Sequence, residues 1–223
     1  MRPVTAGRRR FLWAAVALAA VLAAGAPGRA GSPSGTPLDF VLMRDGEDIG
    51  HHLIRFKDEG TRLTVTIDVE IDVNVLFVPI FEFRHKAREI WENGELVDLE
   101  STTHDNGSDH ELTVKRTADG LSVVMNGVKS VAPAGVIPTS LWNQDAVNQD
   151  ALLSSVHGAL MPLSVTPLGE ASVEAGGRKL LTAGYLIDAK PDFKREVWYD
   201  SDGILRKVKL WGPDGSEVDY HQR

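Results

Sequence analysis

The side chains best suited to chemistry follow Pro79. Phe81, Phe83, His85, Ala87, Glu89 and Trp91 alternate with Glu82, Arg84, Lys86 and Arg88. On an extended chain successive side chains point to opposite faces, so the first set shares one face. That face is aromatic and carries an imidazole and a carboxyl four residues apart, about 13 Å along a strand. At that separation His85 and Glu89 do not pair with each other, though each can meet a group on a neighbouring strand. Two readings follow. The face lines a ligand pocket, with aromatic walls and two polar fixing points, or it is a core face whose His85 and Glu89 lie near the sheet ends and reach water. Trp142-Asn143 is a further candidate: a tryptophan at a loop-to-helix junction can close the open end of a barrel, with Asn143 capping the helix or fixing the loop. The candidate ligand-binding residues are therefore Phe81, Phe83, His85, Glu89, Trp91 and Trp142.

Metal and catalytic chemistry have less support. His51 and His52 are adjacent, so on a strand they diverge and cannot chelate one ion well. His104 and His110 flank Asn106-Gly107 and can face each other across a hairpin, with Asp105 and Asp109 nearby; this is the best nitrogen and oxygen ligand set in the chain. Loop tips of this composition are more commonly solvated turns, so no metal and no cofactor is assigned. Gly107-Ser108-Asp109-His110 places its groups consecutively, unlike a triad assembled from separate elements, and no nucleophile elbow occurs. Asp68, Glu70 and Asp72 fall on the wet phase of their strand, where a solvated stripe is the default. There is no phosphate-cradling glycine loop or dinucleotide fingerprint.

The elements that must position these residues are strands. Asp45-Gly46, Glu59-Gly60, Asn93-Gly94, Asn106-Gly107, Asp119-Gly120, Asn126-Gly127, Gly176-Gly177, Asp202-Gly203 and Asp214-Gly215 punctuate the chain at hairpin intervals. Between Leu63 and Val75 apolar and polar residues alternate without a break, the mark of a long half-buried strand. A strand of that length, roughly 40 Å, suits a strongly curved sheet or a barrel. Pro133 and Pro138 mark a loop. After it, Val147, Ala151, Leu152, Ser155 and Leu160 are spaced for either a helix of two to four turns or a long loop with a helical turn. The expected fold is all-β: a strongly curved antiparallel sheet or partly open β-barrel with one short helical insert. Glu89-Ile90-Trp91 before Asn93-Gly94 and Glu196-Val197-Trp198 before Asp202-Gly203 are either a duplication of a sheet half or convergent hairpin chemistry.

Residues 1–30 form a leader of exported type. Arg8-Arg9-Arg10-Phe11-Leu12 precedes an apolar run to Ala24; two cleavage sites follow, Ala24-Gly25-Ala26, with Pro27 hindering the cut, and the preferred Gly28-Arg29-Ala30, which leaves Gly31 first. The paired arginines followed by Phe-Leu fit the twin-arginine route. About fourteen apolar residues are fewer than a bilayer span needs, so no transmembrane span is expected in the processed protein. Residues 31–37 are a spacer and 38–223 a single β domain, with the loop or helix insert around 132–162. Of 24 basic and 31 acidic residues, five basic ones and no acidic one lie in the leader, leaving the rest near −12. Such a surface is repelled by phosphate backbones, which argues against nucleic-acid partners. The chain has no cysteine, so disulfides, thiolate catalysis and lipoprotein processing are absent.

Arg44-Asp45-Gly46-Glu47-Asp48-Ile49-Gly50, the two Glu-x-Trp hairpins, Leu141-Trp142-Asn143 and Val197-Trp198-Tyr199-Asp200 together resemble an uncharacterised domain family of exported bacterial proteins. At fold level such a sheet is similar to the open barrels of periplasmic lipoprotein carriers, and that resemblance implies an apolar hollow for acyl chains. The leading expectation is thus an exported, periplasmic or secreted protein that binds an apolar or lipid-like amphipathic molecule without catalysis. A side-chain-filled structural module is the alternative. A hydrolase is a third, with His85 and Glu89 converging on groups from other strands.

Overall fold

A computed structural model describes residues 35–75, 78–212 and 214–223. The leader, its paired arginines and most of the spacer lie outside the described residues. Fifteen strands form one sheet: β1 Leu38–Arg44, β2 Glu47–Asp58, β3 Arg62–Val75, β4 Val78–Glu92, β5 Glu95–Asp105, β6 Ser108–Thr117, β7 Gly120–Met125 and β8 Val128–Ala132, then β9 Ile137–Pro138, β10 Ala151–Leu153, β11 Leu160–Ala175, β12 Arg178–Ala189, β13 Phe193–Asp200, β14 Leu205–Trp211 and β15 Glu217–Gln222. Their spatial order is β8-β7-β6-β5-β4-β3-β2-β1-β15-β14-β13-β12-β11-β10-β9. Every neighbouring pair is antiparallel except β9 with β10, which is parallel. The chain therefore lays down one half-sheet as a meander from β1 to β8. It crosses over through residues 133–159, which include β9 and β10, and returns as a second meander, β11 to β15, that closes on β1 through β15.

The turns follow from residue chemistry. Asp45, Asn93, Asn106 and Asn126 adopt φ of 53°, 54°, 44° and 47°, each before a glycine of positive φ. Two successive left-handed residues make the primed turn whose twist matches a hairpin, and Asn, Asp and Gly tolerate it best. Gly50 has a different task. It sits beside the bulge at Leu42/Met43, with φ of 153°, and a Cβ there would lie 1.9 Å from the Glu70 carbonyl oxygen. Only glycine lets β2 approach β3 so closely.

The long strand of period two is β3, and its apolar phase is the sheet's core face: Val65, Ile67, Val69 and Val73 are buried. The same face continues through Leu38, Phe40 and Leu42 of β1, Leu99 of β5, Val114 of β6, Val197 and Tyr199 of β13 and Val208 of β14, one contiguous core. The opposite face is wet and laced with exposed ion pairs such as Arg84–Asp72 and Arg88–Glu100, each worth about 1 kcal/mol or less.

Two expectations are corrected. The sheet stays open: β8 and β9 are its two edges, and it neither closes into a barrel nor curls strongly. The helical insert is a single 3-10 turn, Gln144–Asn148, capped by the Asn143 side chain, whose Oδ1 accepts from the Asp145 N–H at 3.0 Å. It stops there because Ala151–Leu153 finds backbone partners on both sides, parallel with β9 and antiparallel with β11. The two Glu-x-Trp segments also present opposite faces. Glu89 and Trp91 point into the core, whereas Val197 takes the core position in the second, leaving Trp198 outside beneath the Lys207 ammonium, 5.1 Å away.

Candidate functional site

Strand β4 presents Phe81, Phe83, His85, Ala87, Glu89 and Trp91 to the core face, in the expected phase. The structure divides the six candidate residues into two groups. Glu89, Trp91 and Trp142 come together. Phe81, Phe83 and His85 lie further along the strand, and His85 and Glu89 do not meet.

The first group is a filled centre. Glu89 is fully buried, not near water at a sheet end. Its Oε2 accepts from the Trp91 indole at 2.8 Å and from the Trp142 indole at 2.9 Å. Burial pushes the Glu89 carboxyl above its usual range, opposed by hydrogen bonding from Trp142, Ser140 and Trp91. Oε1 has no partner. Trp142 stands edge-on to Trp91 and to Phe56 of β2, with ring centroids 5.3 and 5.5 Å away. The residue before it, Leu141, holds a left-handed φ of 64°, a strained position for a branched side chain. Its carbonyl is fixed by the buried Tyr199 hydroxyl of β13, which donates at 2.7 Å. Consecutive residues of the crossover are thus gripped from β4 on one side of the sheet and β13 on the other. Further along, Ser101 of β5 donates to the Ser155 carbonyl at 2.6 Å, and the Ser155 N–H donates to Thr139 Oγ1 at 3.1 Å.

The second group is less enclosed. Phe81 and Phe83 are half-buried, and Phe83 stacks on His85 at 6.2 Å. His85 is buried and its Nδ1 bonds the Thr103 hydroxyl of β5 at 2.7 Å, the cross-strand partner its position called for. Burial lowers its pKa to about 4, with the Asp68 carboxylate opposing.

His52, weighed in the sequence only as a metal ligand, and Arg195, which the sequence did not single out, extend this region. His52 of β2 is buried, and neither ring nitrogen has a partner. Burial, with His85 and His51 adding like charge, lowers its pKa to about 3. Its ring lies 5.7 Å from Tyr220 of β15 and 6.2 Å from Phe40 of β1. Arg195 of β13 comes next, its positive charge opposing the burial that raises the Tyr220 phenol pKa. The Arg195 guanidinium lies over the Phe193 ring at 4.6 Å and donates to the Lys194 carbonyl. Among the described residues no carboxylate bonds it directly; burial lowers its pKa, with the Tyr220 phenol and the Asp192 carboxylate opposing. The signal for His52 was present: His52, Ile54 and Phe56 share one phase of β2, which places the imidazole on the apolar face. Arg195 shares its phase with Val197, but charge at that position reads as surface.

The best candidate ligand set in the sequence, to which no metal is assigned, is rearranged by the register. His104 lies opposite Asp109, bonded at 2.7 Å, while His110 lies opposite Thr103 on the other face. Asp105 and His110 instead gather with His157 of the crossover.

The family model for DUF6134, a domain of unknown function, matches residues 40–223. The chain belongs to this family. No curated protein matches it. The DUF6134 match spans both meanders and the crossover, so the Glu89–Trp142 grip and the His52–Arg195 region both fall within the family's domain.

Proposed function

We propose that this protein is an exported, non-enzymatic binding protein that holds a single-chain amphiphile with an anionic head against the core face of its sheet. The alkyl chain lies on Phe81 and Phe83, and the head group is taken by Arg195 and His52. The observation that carries the reading is a buried imidazole with two orphan nitrogens beside half-buried aromatics, with the Arg195 guanidinium, bonded only to the Lys194 carbonyl among the described residues, in the same region. Buried polar groups in native proteins are overwhelmingly partnered, so the bare His52 imidazole points to a missing partner. Aromatic walls with a few convergent polar groups are what small-molecule sites offer. Export rests on the leader, with its Arg8-Arg9 pair and the cleavage site before Gly31.

A second reading is favoured by one specific observation. Trp142, seated on Trp91 and Phe56 and tied to Glu89, occupies the centre of the apolar face with the protein's own side chain. A structural or interaction module would be built this way. The hydrolase reading loses its motivation, because His85 and Glu89 are each committed to a different partner.

One experiment separates the two. The full precursor is expressed in a bacterial host, the processed form is recovered from the envelope fraction, and its native mass spectrum is recorded with dodecanoate and then with dodecanol. The expected result is a new N-terminus at Gly31 and an adduct with dodecanoate that exceeds the dodecanol adduct. Phe83→Asp removes that adduct, and Arg195→Gln removes the preference for the acid. A bare mass under every condition overturns the binding reading in favour of the filled module; a precursor left unprocessed in the cytoplasm overturns export.

A further inference from the structure

Strands β5 and β6 are joined by the tight Asn106-Gly107 turn, which puts Asp105 opposite Ser108 and Thr103 opposite His110. Residues 103, 105 and 110 consequently share the core-side face, Thr103 buried and Asp105 and His110 half-buried at its margin, while His104 and Asp109 pair on the other side. The crossover brings in a third group. After β10 the chain turns back through Ser154–Gly158, where Ser154 Oγ accepts from the His157 N–H at 3.0 Å and the Ser154 carbonyl accepts from the Gly158 N–H at 2.9 Å. Gly158 has φ of 65° and rests on β6 and β7 so closely that a Cβ would lie 2.8 Å from Leu112 and 3.0 Å from Val123. The turn is thereby pressed onto the sheet beside the hairpin, and the His157 ring comes within 4.9 Å of the His110 ring.

We propose that Asp105, His110 and His157 form a site for a divalent zinc-class metal ion, clasping the crossover to the β5–β6 hairpin. One ligand atom from each of the three lies within 4.8 Å of the other two. Around a tetrahedral zinc with bonds of about 2.0–2.1 Å, neighbouring ligand atoms lie about 3.4 Å apart, so small side-chain rotations close the set. Two imidazoles and one carboxylate are a borderline donor set that suits zinc rather than magnesium or calcium, which require oxygen. Three protein ligands leave a fourth position for water. The convergence distinguishes this group from His51, Asp68 and Glu70, which are ladder neighbours on the wet face of β2 and β3, where Asp68 also faces Lys86. Here the third ligand arrives from a segment about fifty residues away, held in place by its own hydrogen bonds. The inference is independent of the binding function, since none of the three residues belongs to the aromatic site.

The test uses tag-free, EDTA-treated full-length protein. Zinc is titrated by calorimetry, cobalt(II) by its visible absorption, and thermal unfolding is followed with and without zinc. The expected result is one site per chain, an intense tetrahedral cobalt spectrum and a zinc-dependent rise in Tm. His110→Ala, His157→Ala and Asp105→Asn each weaken binding at least about tenfold and abolish the rise. His104→Ala, on the opposite face of the same hairpin, changes neither. Absence of saturable binding overturns the proposal. So does binding that survives His157→Ala, or binding lost equally in His104→Ala. Circular dichroism of each variant separates loss of the site from loss of the fold.

Discussion

At the scale of single residues, Glu89 is the most consequential group. A carboxyl removed from water costs several kcal/mol if it stays charged and unpartnered. Here two indole donors meet one oxygen, and the other meets none in good geometry. Because burial raises the folded-state pKa, the folded protein holds the proton more tightly than the unfolded chain does. The stability this contributes is complete below about pH 4.5, the unfolded value, and is lost as pH rises through the folded one. Glutamine keeps an acceptor for both indoles and removes the charge. Glu89→Gln should therefore equal or exceed the wild type in urea denaturation at pH 8 and gain nothing at pH 4. Glu89→Ala orphans both indole N–H groups and leaves a cavity, a loss of about 3 kcal/mol. A Gln variant weaker than wild type at pH 8 would show that the charged carboxylate is what the site needs.

At the scale of elements, the crossover between the two meanders decides how the apolar face is covered. It has little regular structure, one 3-10 turn and two strands of two and three residues. Its stability comes from side chains that reach the sheet: Trp142 against β2 and β4, Leu141 bound by β13, Ser155 bound by β5. Trp142→Ala removes the largest of these anchors and with it the indole bond to Glu89. The expected cost is about 3–5 kcal/mol, together with faster amide exchange in residues 136–155 while β1 and β15 stay protected. If exchange rises uniformly across the sheet instead, the crossover is not a separate unit but part of the cooperative core.

At the scale of the whole molecule, acid should be the protein's weakness. His52 and His85 have folded-state pKa values of about 3 and about 4, against 6.5 for an ordinary imidazole. Between those limits the unfolded chain binds protons that the folded protein refuses, so stability falls as pH drops from about 6.5 towards 3. Midpoints of urea unfolding measured from pH 7 to pH 4 should decline. His52→Phe, which places an apolar ring between Phe40 and Tyr220, should make the decline shallower. An unchanged slope would mean that His52 is open to solvent or already partnered. On the proposed binding function, dodecanoate should protect in the same range, because an anionic head favours the charged imidazole.

Much of this was legible in one dimension. The phase of β3 and β4 follows from alternation, and the primed turns at Asp45, Asn93, Asn106 and Asn126 follow from which residues tolerate positive φ. Both are local properties that a chain carries wherever it folds. The inward face of Phe81–Trp91 was readable for the same reason, and so was the Asn143 cap. What alternation cannot supply is the partner. Period two is equally satisfied by an open sheet and a barrel, so closure was decided by where the two meanders meet, at β1 and β15. The second Glu-x-Trp looked like the first, but the register of β13 turned it outward. Glu89 met Trp142 from 53 residues away and His110 met His157 across the crossover, contacts set by packing rather than by spacing. The amino-acid order thus determined strands, turns and faces, which depend on neighbours along the chain. Only the tertiary structure decided which polar groups were paired, buried or left waiting, because that depends on neighbours in space.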